Sequence, residues 1–490
     1  MVRNKFRTIN KLKYSVPLLT LTAFMLLTFG CAVNPVSGDQ DFVLMSEKQE
    51  TALGSQYSKQ VLRQIPAYPD ERLQEYVQKI GDSLANNSHR SELIYRFTVL
   101  DSSDVNAFAL PGGYIFIYRG LMAYLSTEEE LAAVLGHELG HVTARHSVQQ
   151  ISQSQLFDIL TTVIRGRASS NIYNITNLAK GAFLAGYGRK LELQADELGA
   201  EYLVLDGYSY EGMLKTLSVL KDQELYSKEV SVRRGQSQQT YHGVFASHPK
   251  NDKRFQEIIQ KAKSIEDISS KDPNGKFLNL IEGMTYGDSE SAGVRRGSNF
   301  YHKKMDLHLR APDKWEIVNT PSELIFTSPK GEATLSLQVN DQHRAETARE
   351  YLKRNVESDL YEEKELNLNG YKAATAVINR AGKSFRLAVV FKNKNVFLFT
   401  GKVKENSGNF SFFDKEFVSI INSFSNLKEA EKSLALPLKI KLHKVKRGES
   451  YNSLSLQSPI PFDPETKLRL LNGDYPDDPL RVGRVIKIVK

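Results

Sequence analysis

The sequence predicts a multidomain chain: a mainly α N-terminal region with a small β-sheet, then an α+β module, then a short terminal α+β segment. Three observations predict it. A chain of 490 residues exceeds an average single domain, so two to four domains are expected. From about Ser46 to Leu84 apolar residues recur mostly at helical spacing, further helices are marked at Ser126–His146 and Leu191–Leu205, and two short runs of β-branched and aromatic residues lie between the first two of these stretches. From Asn299 onward strand-like runs alternate with two helical stretches.

Composition narrows the class. A hydrophobic content of 41% is that of an ordinary globular protein, so burying a core is not in question. The formal charge of +8 arises from 65 basic against 57 acidic residues, a mild excess that reads as solvated surface and gives no argument for nucleic acid. Cys31 is the single cysteine, which rules out internal disulfides.

The first thirty residues read as a targeting segment. Arg3, Lys5, Arg7, Lys11 and Lys13 form a basic flank, and the apolar run from Val16 to Phe29 is too short for a comfortable membrane span. It ends in Leu26-Leu27-Thr28-Phe29-Gly30-Cys31, which resembles a bacterial lipoprotein lipobox. That resemblance implies a signal peptide over 1–30, lipidation of Cys31, a tether over 31–45, and a membrane anchor made of acyl chains. Ala32 does not match an inner-membrane retention signal, so the implied address is the cell envelope, at the outer membrane and facing the periplasm.

Within residues 46–268, Ser46 to Leu84 has helical spacing, and Ile94–Leu100 and Tyr114–Tyr118 read as strands. Pro111-Gly112-Gly113 is a turn signal between them. A helix is predicted over Ser126–His146: Ser126 with Glu129, and Thr127 with Glu130, have capping-box spacing, and three glutamates sit where the helix dipole favours negative charge. A further helix should contain Leu191–Leu205 and stop at Asp206-Gly207.

The decisive stretch is His137-Glu138-Leu139-Gly140-His141. Residues four apart on a helix share a face about 6 Å apart, so both imidazoles reach one ion. Glu138 projects about 100° around the helix from His137, placed to act as a general base beside the ion without joining its ligands. A catalytic zinc site takes three protein ligands and keeps one position open. The metzincin spacing would need glycine at 144 and histidine at 147, where the chain has Ala144 and Ser147. His146, five residues past His141, reads as a surface histidine. The better third ligand is Glu192, with Asp196 four residues on and on the same helix face, where it can accept the free imidazole N–H of a ligand histidine. A Glu-xxx-Asp pair alone is usually a solvated helix face; its weight comes from following the first motif.

His137–His141, Glu192–Asp196 and Asn106-Ala-Phe-Ala-Leu-Pro-Gly-Gly113 together resemble the gluzincin metallopeptidases related to the CAAX prenyl proteases. They are most similar to the bacterial periplasmic, lipid-anchored branch concerned with outer-membrane protein quality control. Asp206-Gly207-Tyr208 resembles that family's turn after the ligand helix, and Ser247-His248-Pro249 with Arg254 resembles its His-Pro-xxxx-Arg motif. The similarity spans roughly Asn34 to Ile265. It implies a zincin-type catalytic domain with a small edge sheet, one Zn2+ per chain, and an edge strand (Tyr114, Ile115, Phe116, Ile117) that pairs with an extended substrate. It also implies that His248 and Arg254 lie near the zinc, as oxyanion stabilisers or, for the histidine, as a latency ligand. The related integral-membrane enzymes have several spanning helices, whereas this chain has no apolar run of that length after the signal. Soluble misfolded or misassembled envelope proteins are therefore expected as substrates.

Residues 269–298 read as a linker, and 299–426 as an α+β module with strands at Leu324–Thr327, Ala333–Val339, Ala373–Ile378, Phe385–Phe391 and Val396–Val403. Its helices fall near Ala345–Ser358 and Phe412–Phe424, and it resembles small PsbP-like modules. After a second linker at 427–437, residues 438–490 resemble a LysM module, through His443-Lys-Val-Lys-Arg-Gly448-Glu449-Ser450 and Leu470-Leu-Asn472-Gly473. That resemblance implies strand–helix–helix–strand order and peptidoglycan as a partner. Ser458-Pro-Ile-Pro-Phe-Asp-Pro464 departs from it, being proline-rich where helix is wanted.

The expected function is a zinc endopeptidase of the cell envelope. A chaperone-like assembly factor is the alternative, and a peptidoglycan hydrolase, resting on the terminal segment alone, is the third reading. An intact set of His137, Glu138, His141 and Glu192 favours the enzyme, since a pure binder has no need of the base.

Overall fold

A computed structural model describes residues 31–33, 35–36, 38, 40–43, 45–153, 186–233, 275–320, 322–341, 346–356, 358–405 and 409–490. The expected signal peptide lies outside them. The segment expected as a tether carries a short antiparallel pair, β1 (Cys31–Val33) with β2 (Gln40–Phe42).

Helix α1 (Glu47–Gln64) starts at a capping box formed by Ser46 and Gln49. Helix α2 (Glu71–Asn86) follows, with Asp70 accepting from the Leu73 N–H at 3.3 Å. Strands β3 (Arg96–Leu100), β4 (Ala107–Leu110) and β5 (Tyr114–Tyr118) form a sheet of order β3-β5-β4, in which β5 runs parallel to β3 and antiparallel to β4. After the short α3 (Arg119–Tyr124) come α4 (Glu128–Thr143), α5 (Arg189–Leu205) and α6 (Glu211–Arg233). Val77, Ile80 and Leu84 of α2, Ile115 and Ile117 of β5, Leu131, Leu135 and Leu139 of α4, and Leu198 and Leu203 of α5 belong to one buried cluster.

The stretch expected as a linker over 269–298 is structured from Gly275 onward. Phe277 and Ile281 of α7 (Lys276–Ile281) are fully buried in the cluster just described, which is why a segment of loose composition holds a fixed place. Strand β6 (Thr285–Tyr286) follows, and β7 (Val294–Arg296), β8 (Asn299–His302) and β9 (Leu307–Arg310) form a small antiparallel sheet.

The α+β module is built on a seven-stranded antiparallel sheet in the order β10-β11-β12-β16-β15-β14-β13. Its strands are β10 (Glu316–Asn319), β11 (Leu324–Thr327), β12 (Ala333–Asp341), β13 (Leu360–Leu368), β14 (Tyr371–Arg380), β15 (Lys383–Lys392) and β16 (Asn395–Val403). Alternation along the strands gives two apolar faces. Ala373, Val390, Phe397 and Phe399 face Phe413, Phe417 and Phe424, so α9 (Phe410–Asn422) covers one side together with Trp315. Ala374, Leu387, Val389 and Val396 face Ala348 and Leu352 of α8 (Ala348–Asn355) on the other.

The terminal segment has the element order β17 (Leu438–Lys444), α10 (Tyr451–Ser455), α11 (Pro464–Asn472) and β18 (Val485–Val489), with β17 and β18 antiparallel. The proline-rich stretch is the connection between its two helices, and Pro464 occupies the first turn of α11, where a missing N–H costs nothing. This segment is not a separate bead. Leu438 and Lys439 pair with Tyr286 and Thr285, and Ile440, Tyr451, Leu468, Leu471, Ile486 and Val489 join the same cluster as α2, α4 and α5. At its centre the Lys487 ammonium, 1% exposed, donates to Ala123 O at 2.8 Å, Leu125 O at 2.6 Å and Ser126 Oγ at 3.4 Å. These groups form the turn that leads into α4. Burial pushes the Lys487 amine down and the nearby Glu130 carboxyl up, and the attraction between the two charges counters both shifts.

Among the described residues no helix is long and apolar enough to cross a membrane. Replacing Lys487 with Met is expected to leave two buried carbonyls unpaired and to lower unfolding free energy in urea titration by about 2–4 kcal/mol. Lys441→Met, at an exposed position of β17, is expected to stay within about 0.5 kcal/mol of the parent.

Candidate metal centre

Helix α4 begins at Thr127, whose hydroxyl accepts from the Glu130 N–H at 3.2 Å, while the Glu130 carboxylate turns back to the Ser126 N–H at 2.7 Å. Glu128, Glu129 and Glu130 in the first turn complement the helix dipole. Helix α5 ends where the turn signal predicted: Asp206 is its C-cap, and Gly207 follows at φ 77°.

What brings the two helices together is the absence of side chains between them. A Cβ on Gly140 would sit 2.8 Å from Ala195 O, one on Gly136 would sit 3.1 Å from Gly199 O, and one on Gly199 would sit 2.8 Å from His137 N. The pairing of 136 with 199 and of 140 with 195 makes the helices antiparallel at near backbone contact. At 140 and 199 a Cβ would collide with the facing backbone, so glycine is required there. His137 and His141 on one edge of this contact therefore meet Glu192 and Asp196.

The His137 and His141 Nε2 atoms are 3.1 Å apart, His137 Nε2 lies 3.7 Å from Glu192 Oε2, and His141 Nε2 lies 3.5 Å from Glu192 Oε1. One donor atom from each of the three lies within 4.8 Å of the others. Tetrahedral zinc with bonds of about 2.0–2.2 Å sets its ligand atoms about 3.4 Å apart. The spacing and the donor set, two imidazoles and a carboxylate, both fit that ion. His141 and Glu192 are fully buried and His137 is 12% exposed at its side chain, so the cluster is accessible from one side. His137 Nδ1 is 2.9 Å from Asp196 Oδ1, which directs the proton of that ring to Nδ1 and its lone pair, on Nε2, toward Glu192. Glu138 is buried, one residue along from His137.

A model of Peptidase family M48 matches residues 71–262, a range that holds all of these side chains. The Beta-barrel assembly-enhancing protease of Yersinia pestis is 28% identical over 202 residues, covering 39% of this chain and 42% of that protein. The protein of that name from Escherichia coli K12 is 26% identical over 193 residues, covering 37% and 40%. Metalloprotease YcaL of Escherichia coli K12 is 30% identical over 190 residues, which are 38% of this chain and 68% of YcaL. The chain belongs to Peptidase family M48. It spans about two fifths of the length of the two assembly-enhancing proteases. Membership implies a metal cofactor, and the cluster of His137, His141 and Glu192 is where the described residues would hold it.

Three features of this M48 chain depart from sequence expectation. The helix expected to run to His146 ends at Thr143, because Arg145 takes a left-handed conformation at φ 55°. Arg145 is held there by the buried Glu50 of α1: Arg145 Nε donates to Glu50 Oε2 at 2.9 Å, and Arg90 Nη1 donates to Glu50 Oε1 at 2.9 Å. The chain therefore folds back, and His146, expected at the surface, is fully buried beside His141, with Nδ1 to Nδ1 at 2.8 Å. Burial pushes the His146 imidazole down to about 4, so it is neutral at physiological pH.

The second is Tyr187, which sequence reasoning missed. Its ring stacks on His141 with centroids 4.0 Å apart at 19°, and its hydroxyl is 2.6 Å from Ser147 Oγ. Burial raises its pKa first, and the Glu138 and Glu192 carboxylates raise it further. Neither Tyr187 nor Gln194, whose Oε1 is 3.1 Å from His146 Nε2, has a spacing signal linking it to the motif.

The third is the strand expected to be the free edge. Tyr114, Ile115, Phe116 and Ile117 lie in β5, the central strand, with β3 on one side and β4 on the other. Both rows of backbone groups are taken up by the ladder, so β5 is not available to a peptide. The outer strand on the β4 side, among the described residues, is Ala107–Leu110 itself, and α4 packs against it. The alternation of aromatic and β-branched residues marked a strand but carried no information on its place in the sheet. His248 and Arg254 lie outside the described residues, and nothing is described for the Cys31 side chain.

Exchanging Glu192 for Ala is expected to cut bound metal, read by elemental analysis of purified protein, from about one ion per chain to below about 0.2.

Proposed function

We propose that this chain is a zinc-dependent endopeptidase of the bacterial cell envelope that cleaves misfolded or misassembled envelope proteins. The observation that carries the reading is the convergence of His137, His141 and Glu192 from two helices onto one point, with Glu138 buried one residue from the first of them. Family membership supports peptide-bond hydrolysis, and the printed names of the Yersinia and Escherichia relatives support a role beside β-barrel assembly.

Bound zinc supplies a Lewis acid that polarises the scissile carbonyl and acidifies a water molecule. The chain supplies the rest. The Glu138 carboxylate takes the proton from the attacking water and passes it to the departing amine nitrogen, so that no free hydroxide or amide anion forms. Asp196 Oδ1 holds the proton on His137 Nδ1, fixing that ring's tautomer. His248 and Arg254 are assigned to the oxyanion by family resemblance, with the latency role as the alternative for the histidine. An extended substrate would add to the outer side of β4, where main-chain hydrogen bonds hold it in register independently of its side chains.

Lipidation of Cys31, attachment to the outer membrane facing the periplasm, and contact of residues 438–490 with peptidoglycan complete the proposal. They rest on the lipobox and LysM resemblances. The burial of Lys487 and its neighbours gives the terminal segment a structural task in addition to any glycan contact.

Glu138→Gln tests the reading. It should retain zinc and the parent melting temperature while casein hydrolysis falls by at least about 100-fold, the scale of a lost general base. Parent protein loaded with zinc that hydrolyses no casein, or in-cell function that survives Glu138→Gln, would put binding rather than cleavage first.

A further inference from the structure

We propose that His146 and Gln194 form a relay that sets the tautomer and orientation of His141, doing by neutral hydrogen bonds for this ligand what Asp196 does for His137. The inference rests on the zinc reading above and adds two positioning residues to it. The chain of contacts is short: Gln194 Oε1 is 3.1 Å from His146 Nε2, His146 Nδ1 is 2.8 Å from His141 Nδ1, and His141 Nε2 faces Glu192 Oε1 at 3.5 Å.

Only one direction of proton donation agrees with metal binding. An amide oxygen accepts, so His146 carries its proton on Nε2 and presents a lone pair at Nδ1. That lone pair accepts the Nδ1 proton of His141, which leaves the Nε2 lone pair of His141 aimed at the point shared with His137 and Glu192. If the Gln194 amide were turned to place its NH2 against His146, every step would reverse and His141 would present an N–H where the metal must sit. The rings are held for this. His146 crosses His141 edge-on, at 75° with centroids 4.9 Å apart, while Tyr187 stacks on His141 at 19°. The left-handed turn at Arg145, braced by Glu50, is what returns His146 to this position.

The relay is tested on the full chain stripped of metal, by competing zinc against a chromophoric chelator. Gln194→Met keeps side-chain length at a half-buried position and removes the acceptor; Gln194→Glu restores an acceptor; His146→Leu removes the middle member. Gln194→Met and His146→Leu are each expected to raise the zinc Kd by about 10- to 100-fold, the usual cost of losing a partner of a ligand histidine. Gln194→Glu should stay within about threefold of the parent, a rescue that a merely space-filling role would not show. The double variant should be no weaker than His146→Leu alone, because the two act through one bond to His141. Circular dichroism of the metal-free proteins reports folding, and if His146→Leu does not fold, the Gln194 pair decides alone. Gln194→Met with a Kd within about twofold of the parent, or fully additive effects, overturns the relay while leaving the zinc site standing. A parent protein that binds no zinc overturns both.

Discussion

The near contact of two antiparallel helices along Gly136, Gly140, Ala195 and Gly199 is the constraint on which the centre depends. Each helix alone holds an incomplete set: two imidazoles on one, two carboxylates on the other. Side chains between two helix axes ordinarily set a spacing of about 8–10 Å. Removing those side chains brings the backbones together and leaves Glu192 buried against both rings. The rest of the domain reinforces this approach. Leucines of both helices fill the surrounding core, and Glu50 with Arg90 and Arg145 secures the end of the first helix by buried ion pairs.

Much of this was legible in the sequence, for identifiable reasons. Periodicity, caps and turn residues depend on neighbours in the chain. The ligand helices, the Asp206-Gly207 stop and the strands at 324–327 and 385–391 were therefore placed close to where they stand. The metal donors were recognised because an i, i+4 pair is a local pattern with a specific chemistry. What escaped depends on partners distant in sequence. Residues 275–298 looked like a linker because only the core they enter gives them a place. Strand β5 looked like an edge because sheet order is not written in one strand. His146 looked exposed because its helix was assumed to continue, and the left-handed Arg145 that stops it depends on a glutamate 95 residues away.

The two sides of the centre are also built differently. His137 leans on a carboxylate, an anion that strengthens the ligand, whereas His141 leans on a neutral ring and an amide. Both arrangements leave the Nε2 atom of the ligand ring facing Glu192.

The placement of Lys487 bears on when the surroundings of helix α4 are completed. Its amine secures the entrance to helix α4 from 364 residues further along the chain. During synthesis the helix with both histidines emerges long before the strand that completes its surroundings. Closing so large a loop is slow compared with forming the helix itself. A nascent or truncated chain would carry the ligands but lack the clamp, so the entrance to helix α4 would be secured only once the C-terminal strand is in place.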